Sequence, residues 1–126
     1  MVTKRILLVD DSPIILRAAT HALTEAGYDV TTRATFDELL EMGFDNYDLI
    51  LMDIQMPELF GDDVAAVLRN ERGVMTPIYL FSSIDQDDLA QRAQTARVDG
   101  WISKAHGIEG MVERVREILP PADDRV

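Results

Sequence analysis

Short apolar runs recur along the chain at intervals of about 20 to 30 residues and predict five β-strands. These runs are Arg5–Val9, Tyr28–Thr32, Leu49–Met52, Ile78–Phe81 and Trp101–Ile102. The first, third and fourth runs are continuously apolar, with no alternation of polar positions. This pattern is typical of strands that are buried on both faces of a parallel sheet.

Segments with helical signals separate the runs. They begin at capping residues and carry apolar positions at helical spacing. The first predicted helix begins at Ser12-Pro13 and ends at Gly27, and the second begins at the capping pair Thr35 and Glu38. The remaining three are Asp62–Arg69, Gln86–Arg97, which Asp85 caps, and Ile108–Leu119, which ends before Pro120-Pro121. Strands that alternate with helices at this spacing indicate an α/β fold with a doubly wound parallel sheet and helices on both faces.

Polar residues follow the strands at the edge where ligands bind in such folds, outside the carboxyl ends. Asp10 and Asp11 follow the first run, Asp53 the third, Ser82 the fourth, and Lys104 comes just after the fifth. Carboxylates close together raise one another's proton affinity, so they need a cation. Carboxylate oxygens suit a hard ion that also binds phosphate oxygens, and the sequence therefore predicts a Mg²⁺ site.

The same residue types are those that phosphoryl transfer requires. A carboxylate can serve as the nucleophile and form an aspartyl phosphate. A metal ion, a lysine and a hydroxyl can then bind the remaining phosphoryl oxygens.

Four motifs resemble those of the receiver domains of two-component response regulators, and the resemblance covers the chain from Ile6 to Leu119. In order they are residues 6–11 (ILLVDD), 52–57 (MDIQMP) with Gly61, 77–82 (PIYLFS) and 101–104 (WISK). Their order and spacing identify the chain as a member of this family. The resemblance implies a flavodoxin-like, five-stranded parallel sheet with strand order 2-1-3-4-5.

The resemblance also implies a role for each strand-end residue. Asp53 corresponds to the phosphoacceptor, and Asp11, Asp53 and the backbone carbonyl of Gln55 correspond to the Mg²⁺ ligands. Asp10 corresponds to the second acid, which acts through metal-bound water or through its charge. Lys104 would contact the phosphoryl oxygens.

Two further residues correspond to the switch positions of the family. Ser82 would hydrogen-bond the phosphoryl group, and Trp101 stands at the aromatic switch position. The chain departs from the family pattern at Ala105, where proline with a cis peptide bond is usual. A cis bond before a non-proline residue costs roughly 3 kcal/mol, so we expect a trans bond and a different placement of the loop that carries Lys104.

The implied function is a phosphorylation switch and not an enzyme for an external substrate, since the domain catalyses only its own phosphorylation and dephosphorylation. The implied partners are a sensor histidine kinase or a histidine phosphotransfer protein, and a downstream target protein. The target would bind the face formed by the helix after the fourth strand, the fifth strand and the last helix. Basic residues there would favour an acidic partner patch, namely Arg92, Arg97 and Arg114.

Composition and charge narrow the partners and the location. The chain has 126 residues, no cysteine and a formal charge of −11, which excludes a disulfide framework and thiolate chemistry and disfavours direct nucleic-acid binding. No apolar run has the length of a membrane span or a signal peptide, so we expect no membrane insertion and a cytoplasmic protein. We expect residues 1–120 to form one receiver domain and residues 121–126 a short tail without an output domain, either as a lone receiver or as part of a longer protein.

Two alternatives remain at this stage. A degenerate receiver would act as a phosphorylation-independent binding module, and only Ala105 favours it. A Mg²⁺-dependent phosphatase of the haloacid-dehalogenase type would need an acid two residues after its nucleophile, but Ser12 and Gln55 stand at those positions. His21 and His106 lie in no recognisable phosphotransfer motif and are interpreted as ordinary exposed histidines.

Overall fold

The computed structural model describes residues 3–35, 37–38, 46–56 and 60–121, which contain five strands and four α-helices. The strands are Arg5–Val9 (β1), Asp29–Arg33 (β2), Leu49–Met52 (β3), Ile78–Ser82 (β4) and Gly100–Ser103 (β5). The helices are Pro13–Glu25 (α1), Gly61–Asn70 (α2), Gln86–Ala96 (α3) and Gly107–Ile118 (α4), with a 3₁₀ turn at Lys104–His106 before α4.

All five strands are parallel and lie in the order β2-β1-β3-β4-β5, which confirms the predicted sheet. The predicted bounds of β1 and β3 match the structure, whereas β2 begins and ends one residue later than predicted. The apolar core strands were the easiest to place because every residue of β3 is buried. β2 is an edge strand with exposed or half-buried positions, so its apolar pattern is weaker.

Two apolar layers cover the two faces of the sheet. On one face, α1 and α4 pack through a layer that includes Ala19, Leu23, Met111, Val112 and Val115. On the other face, α2 and α3 pack through a layer that includes Val64, Ala65, Leu68, Leu89 and Ala93. The helices therefore cover both faces of the sheet. The carboxyl edge, where the carboxyl ends of the strands lie, remains open between the helices.

The predicted caps are present where the structure describes them. Ser12 Oγ accepts a hydrogen bond from the Ile15 N–H at the start of α1, and Asp85 caps α3. Thr35 and Glu38 form the reciprocal bonds of a capping box. Most of the helix predicted to follow this capping box lies outside the described residues.

Within the described ranges, no helix has both the length and the apolar character that a bilayer span requires.

Candidate functional site

The strand register brings the strand-end residues together at the carboxyl edge of the sheet. Val9 lies beside Met52 in the central strand pair, so Asp10 and Asp53 leave the sheet next to each other. The Asp53 N–H donates to the Val9 carbonyl at 2.8 Å and continues this pairing by one residue. On the other side, Ser82 pairs with Ser103, which directly precedes Lys104.

Three carboxylates form the centre of the site. One carboxylate oxygen from each of Asp10, Asp11 and Asp53 lies within 4.8 Å of the other two. Asp10 is fully buried and Asp53 is 4% exposed, whereas Asp11 is more accessible to solvent. This set of oxygen donors, open on the Asp11 side, fits a hard divalent cation such as Mg²⁺.

Lys104 joins the two buried carboxylates. Its Nζ lies 2.8 Å from Asp10 Oδ2 and 3.3 Å from Asp53 Oδ1. The ammonium also lies 5.1 Å from the centre of the Phe81 ring. The other oxygen of Asp10 accepts the Ser12 N–H at 2.9 Å. Asp10 is therefore held by two donors, and its carboxylate fixes the position of the lysine.

The buried position of Asp53 changes its acidity. Burial raises the pKa of Asp53 to about 6, and the neighbouring Asp10 carboxylate acts in the same direction. Lys104 and a backbone hydrogen bond from Gln55 lower this pKa and oppose part of the effect. One ammonium does not balance three carboxylates, which favours the binding of a further cation at this site.

The Lys104–Ala105 peptide bond is trans, because the described residues contain no cis peptide bond. The expected trans bond is therefore present, and Lys104 still contacts both buried carboxylates. The loop continues into the 3₁₀ turn, where Ser103 Oγ accepts the Ala105 N–H at 3.1 Å. This local cap keeps Lys104 within reach of both carboxylates.

The loop after β3 approaches the helix that follows it. Gln55 forms an isolated antiparallel bridge with Phe60, and the Gly61 N–H donates to the Ile54 carbonyl at 2.8 Å. A Cβ atom on Gly61 would lie 1.6 Å from the Asp53 carbonyl oxygen, so only glycine fits there. The backbone of Gln55, a predicted metal ligand, is therefore held next to Asp53.

The two predicted switch residues lie in the neighbouring strands β4 and β5. Ser82 is fully buried, and its Oγ accepts the Ile84 N–H at 3.3 Å. Trp101 is half-buried in β5, where it pairs with Leu80 and packs against the core layer beneath α2 and α3. Ser82 ends β4 at the predicted edge and accepts a hydrogen bond from the following loop, whereas Trp101 lies two residues before the end of β5.

A cleft of about 830 Å³ lies along β5 and α4, on the face predicted to bind a target. Its lining includes Trp101 and three glutamates spaced four residues apart on α4, which are Glu109, Glu113 and Glu117. Arg114 also lines the cleft, but its guanidinium pairs with Glu117 at 3.2 Å. Acidic groups therefore outnumber basic ones here.

Arg92, one of the three arginines predicted to favour an acidic partner, has its charge paired within the chain. Instead of lining this cleft, Arg92 binds Asp62 of α2 at 3.1 Å and Asp88 of α3 at 3.4 Å. No pattern in the sequence indicates the Asp62–Arg92 contact, because the two residues are 30 positions apart and meet only when α2 packs beside α3.

The parallel sheet presents three carboxylates and a lysine at one edge, which is the arrangement that the receiver motifs predicted. The chain matches the sequence model of the response regulator receiver domain over residues 6–116. It belongs to this family, as its motifs predicted.

Known relatives agree with this membership. The transcriptional regulatory protein PdtaR of Mycobacterium tuberculosis is 28% identical over 116 residues, which are 90% of this chain and 56% of that protein. The chain thus spans about half the length of the curated relatives it matches first.

Solved structures share the fold along nearly the whole chain. The Vibrio cholerae chemotaxis protein CheY4 superposes with a TM-score of 0.80 at 28% identity, over 94% of this chain and 100% of that one. The Thermotoga maritima response regulator TrrA, solved in complex with Mg(2+)-BeF, superposes with a TM-score of 0.77 at 33% identity, over 92% of this chain and 99% of that one.

Proposed function

We propose that this receiver accepts a phosphoryl group on Asp53 from the phosphohistidine of a sensor histidine kinase or histidine phosphotransfer protein, or from a small acyl phosphate. An oxygen of the Asp53 carboxylate forms the new bond to phosphorus. With phosphohistidine the phosphorus–nitrogen bond breaks, and the imidazole leaves with the electron pair and takes up a proton. With an acyl phosphate the bond between phosphorus and the acyl oxygen breaks, and the carboxylate leaves with the electron pair. The observation that carries this proposal is the meeting of Asp10, Asp11 and Asp53 with Lys104 at one strand edge.

The metal ligands of the proposal are Asp11, Asp53 and the backbone carbonyl of Gln55, with Asp10 acting through water or through its charge. Mg²⁺ bound there would neutralise the carboxylates and the incoming phosphoryl oxygens. The oxygen-rich donor set supports this choice of ion. Asp53 must be deprotonated to attack, and its pKa of about 6 leaves it mostly ionised at pH 7 and above.

Lys104 and Ser82 are the proposed ligands of the transferred group. The Lys104 ammonium already contacts Asp53 Oδ1 at 3.3 Å, so it can bind a phosphoryl oxygen once the group is attached to Asp53. Ser82 would donate its hydroxyl to a phosphoryl oxygen. It would then no longer accept the Ile84 N–H and would release the loop before α3. The new dianion thereby acts on a packed element that can adopt two arrangements.

Trp101 is the proposed reporter and aromatic switch, since it lies in β5 beside Leu80 and lines the cleft along α4. Rearrangement of the β4–α3 loop would alter the packing of its ring and change the cleft face that a target protein binds. We further propose that residues 1–120 make up the receiver unit, and that it catalyses only its own phosphorylation and dephosphorylation.

The test is the intact mass of the protein after incubation with acetyl phosphate, with and without Mg²⁺, for the wild type and for Asp53→Ala. We expect one phosphate adduct that requires both Mg²⁺ and Asp53. Beryllofluoride, which mimics the phosphoryl group, should change Trp101 fluorescence in the wild type alone. A protein that gives neither an adduct nor a fluorescence change would instead be a binding module that works without phosphorylation.

A further inference from the structure

Arg92 ties two helices together next to the phosphoacceptor loop. Its Nη1 lies 3.1 Å from Asp62 Oδ2 on α2, and its Nε lies 3.4 Å from Asp88 Oδ2 on its own helix α3. Its guanidinium also stacks over the Phe60 ring, 5.4 Å from the ring centre. A single α3 side chain therefore contacts two residues at the start of α2.

The residues that Arg92 contacts are joined directly to the loop that follows β3. Phe60 bridges Gln55 through its backbone, and Gly61 between Phe60 and Asp62 donates its N–H to Ile54. The Gly61 backbone packs so closely on the Asp53 carbonyl that no Cβ would fit. A displacement of Phe60 or Asp62 must therefore move Gln55 or strain these contacts.

The Arg92 side chain is 34% exposed, so the Asp62–Arg92 pair adds little stability of its own. Asp62 is only 9% exposed, and its Oδ1 is buried without a hydrogen-bond partner among the described residues. A half-satisfied buried carboxylate costs free energy, and apolar side chains of similar size are often at least as stable in such positions. Buried ion pairs that persist despite this cost can instead fix a geometry.

We propose that Arg92 is a positioning residue for the metal site: through Asp62 and Phe60 it holds the Gln55 backbone where its carbonyl can bind Mg²⁺. The proposal rests on the function proposed above, in which that carbonyl is a metal ligand. By thermodynamic linkage, any event that displaces α3 then weakens Mg²⁺ binding, and Mg²⁺ binding favours the α3 position seen here.

The test is isothermal titration calorimetry of Mg²⁺ into the wild type and Arg92→Gln. Loss of a positive charge near an acidic site would by itself tighten Mg²⁺ binding, whereas loss of the positioning contact would weaken it. We expect the affinity of Arg92→Gln to fall roughly three- to tenfold, in the range reported for residues that couple to a site without touching the ligand. Arg116→Gln, which removes the same charge from α4, is the matched control and should not weaken binding.

A double-mutant cycle separates one shared contact from two independent effects. If Arg92 acts through Asp62, the double variant with Asp62→Asn should bind Mg²⁺ about as tightly as Arg92→Gln alone. Phe60→Leu keeps the ion pair but removes the aromatic ring, and it should cause a smaller loss. This milder variant also tests the proposal if Arg92→Gln should fail to fold, as judged by circular dichroism.

The outcomes distinguish this inference from the function on which it rests. Wild-type protein that binds Mg²⁺, together with Arg92→Gln and Phe60→Leu that bind it equally well or more tightly, would overturn the positioning role and leave the proposed function intact. Wild-type protein that binds no Mg²⁺ would overturn both.

Discussion

Charged side chains lie at both ends of the parallel strands, the amino edge and the carboxyl edge of the sheet. The charges are balanced differently at these two edges. At the amino edge, Arg69 pairs with Asp99 and donates to the Val74 carbonyl, and Asp99 also accepts the Ile78 N–H at 2.8 Å. At the carboxyl edge, three carboxylates share one lysine.

This difference separates structural charges from functional ones. At the amino edge one cation faces one anion, and the remaining donors and acceptors are backbone groups that need such partners. At the carboxyl edge a net negative charge is buried, and the pKa of Asp53 rises to about 6 as a result of burial and of Asp10. Charges that the fold leaves unbalanced mark the place where a ligand completes the site.

The largest effect is expected for Lys104→Met at the carboxyl edge. Removal of the ammonium leaves the Asp10 and Asp53 carboxylates without their shared partner and takes away the proposed ligand of the phosphoryl oxygens. We expect the rate of phosphorylation by acetyl phosphate to fall about 100-fold, as for other positioned electrostatic donors.

Intact-mass time courses at saturating Mg²⁺ measure this rate. Lys4→Met is the control, because it removes the same charge just before the amino end of β1, away from the carboxylates. This variant should be phosphorylated at the wild-type rate. A Lys104→Met rate within a factor of three of the wild type would mean that the lysine is structural only.

A smaller effect, on stability and not on phosphorylation, is expected for Arg69→Met at the amino edge. The variant leaves the Asp99 carboxylate and the Val74 carbonyl without their guanidinium partner. Because Asp99 is partly exposed, we expect the free energy of unfolding to fall by about 2 kcal/mol, less than for a fully buried pair. Urea denaturation measures the loss, and a reduced phosphorylation rate in the folded variant would contradict the separation of the two edges.

The smallest effect is a gain of stability in Asp53→Asn. The pKa of Asp53 is raised from 3.8 to about 6 in the folded protein, so its ionisation destabilises the fold as the pH rises through that interval. Above pH 6 the full cost is present, and the amide avoids it. We expect Asp53→Asn to be more stable than the wild type by about 1 to 2 kcal/mol at pH 7.5 without Mg²⁺.

Urea denaturation at several pH values checks this sign. The difference between the two proteins should shrink as the pH falls and vanish below pH 3.8, where Asp53 is protonated in both the folded and the unfolded state. A variant less stable than the wild type at pH 7.5 would show that the Lys104 contact outweighs the burial of the carboxylate.

Most of the fold could be predicted from the sequence because its central strands are continuously apolar. β1 and β3 are buried on both faces, so their runs have sharp limits, and the aspartates after them are conspicuous. The edge strand β2 has Thr31, Thr32 and Arg33 and was placed one residue too early.

The site residues could be predicted only where a polar residue comes directly after a strand. Asp10, Asp11, Asp53 and Lys104 met as expected, because parallel strands bring their carboxyl ends to one edge. The tie from Arg92 to Asp62 depends on how two helices pack, and neither residue stands in a motif. The ion pair of Arg92 was therefore not predicted, since the direction of a charged side chain on a helix is unknown until its neighbours are known.

The most direct test of the central claim is to locate the phosphoryl group chemically. Borohydride reduces an aspartyl phosphate to homoserine, and peptide mass spectrometry then identifies the modified position. After phosphorylation by acetyl phosphate with Mg²⁺, we predict homoserine at position 53 and at no other aspartate. Homoserine at position 10 or 11, or a phosphate adduct that yields none at position 53, would contradict the assignment of Asp53 as the phosphoacceptor.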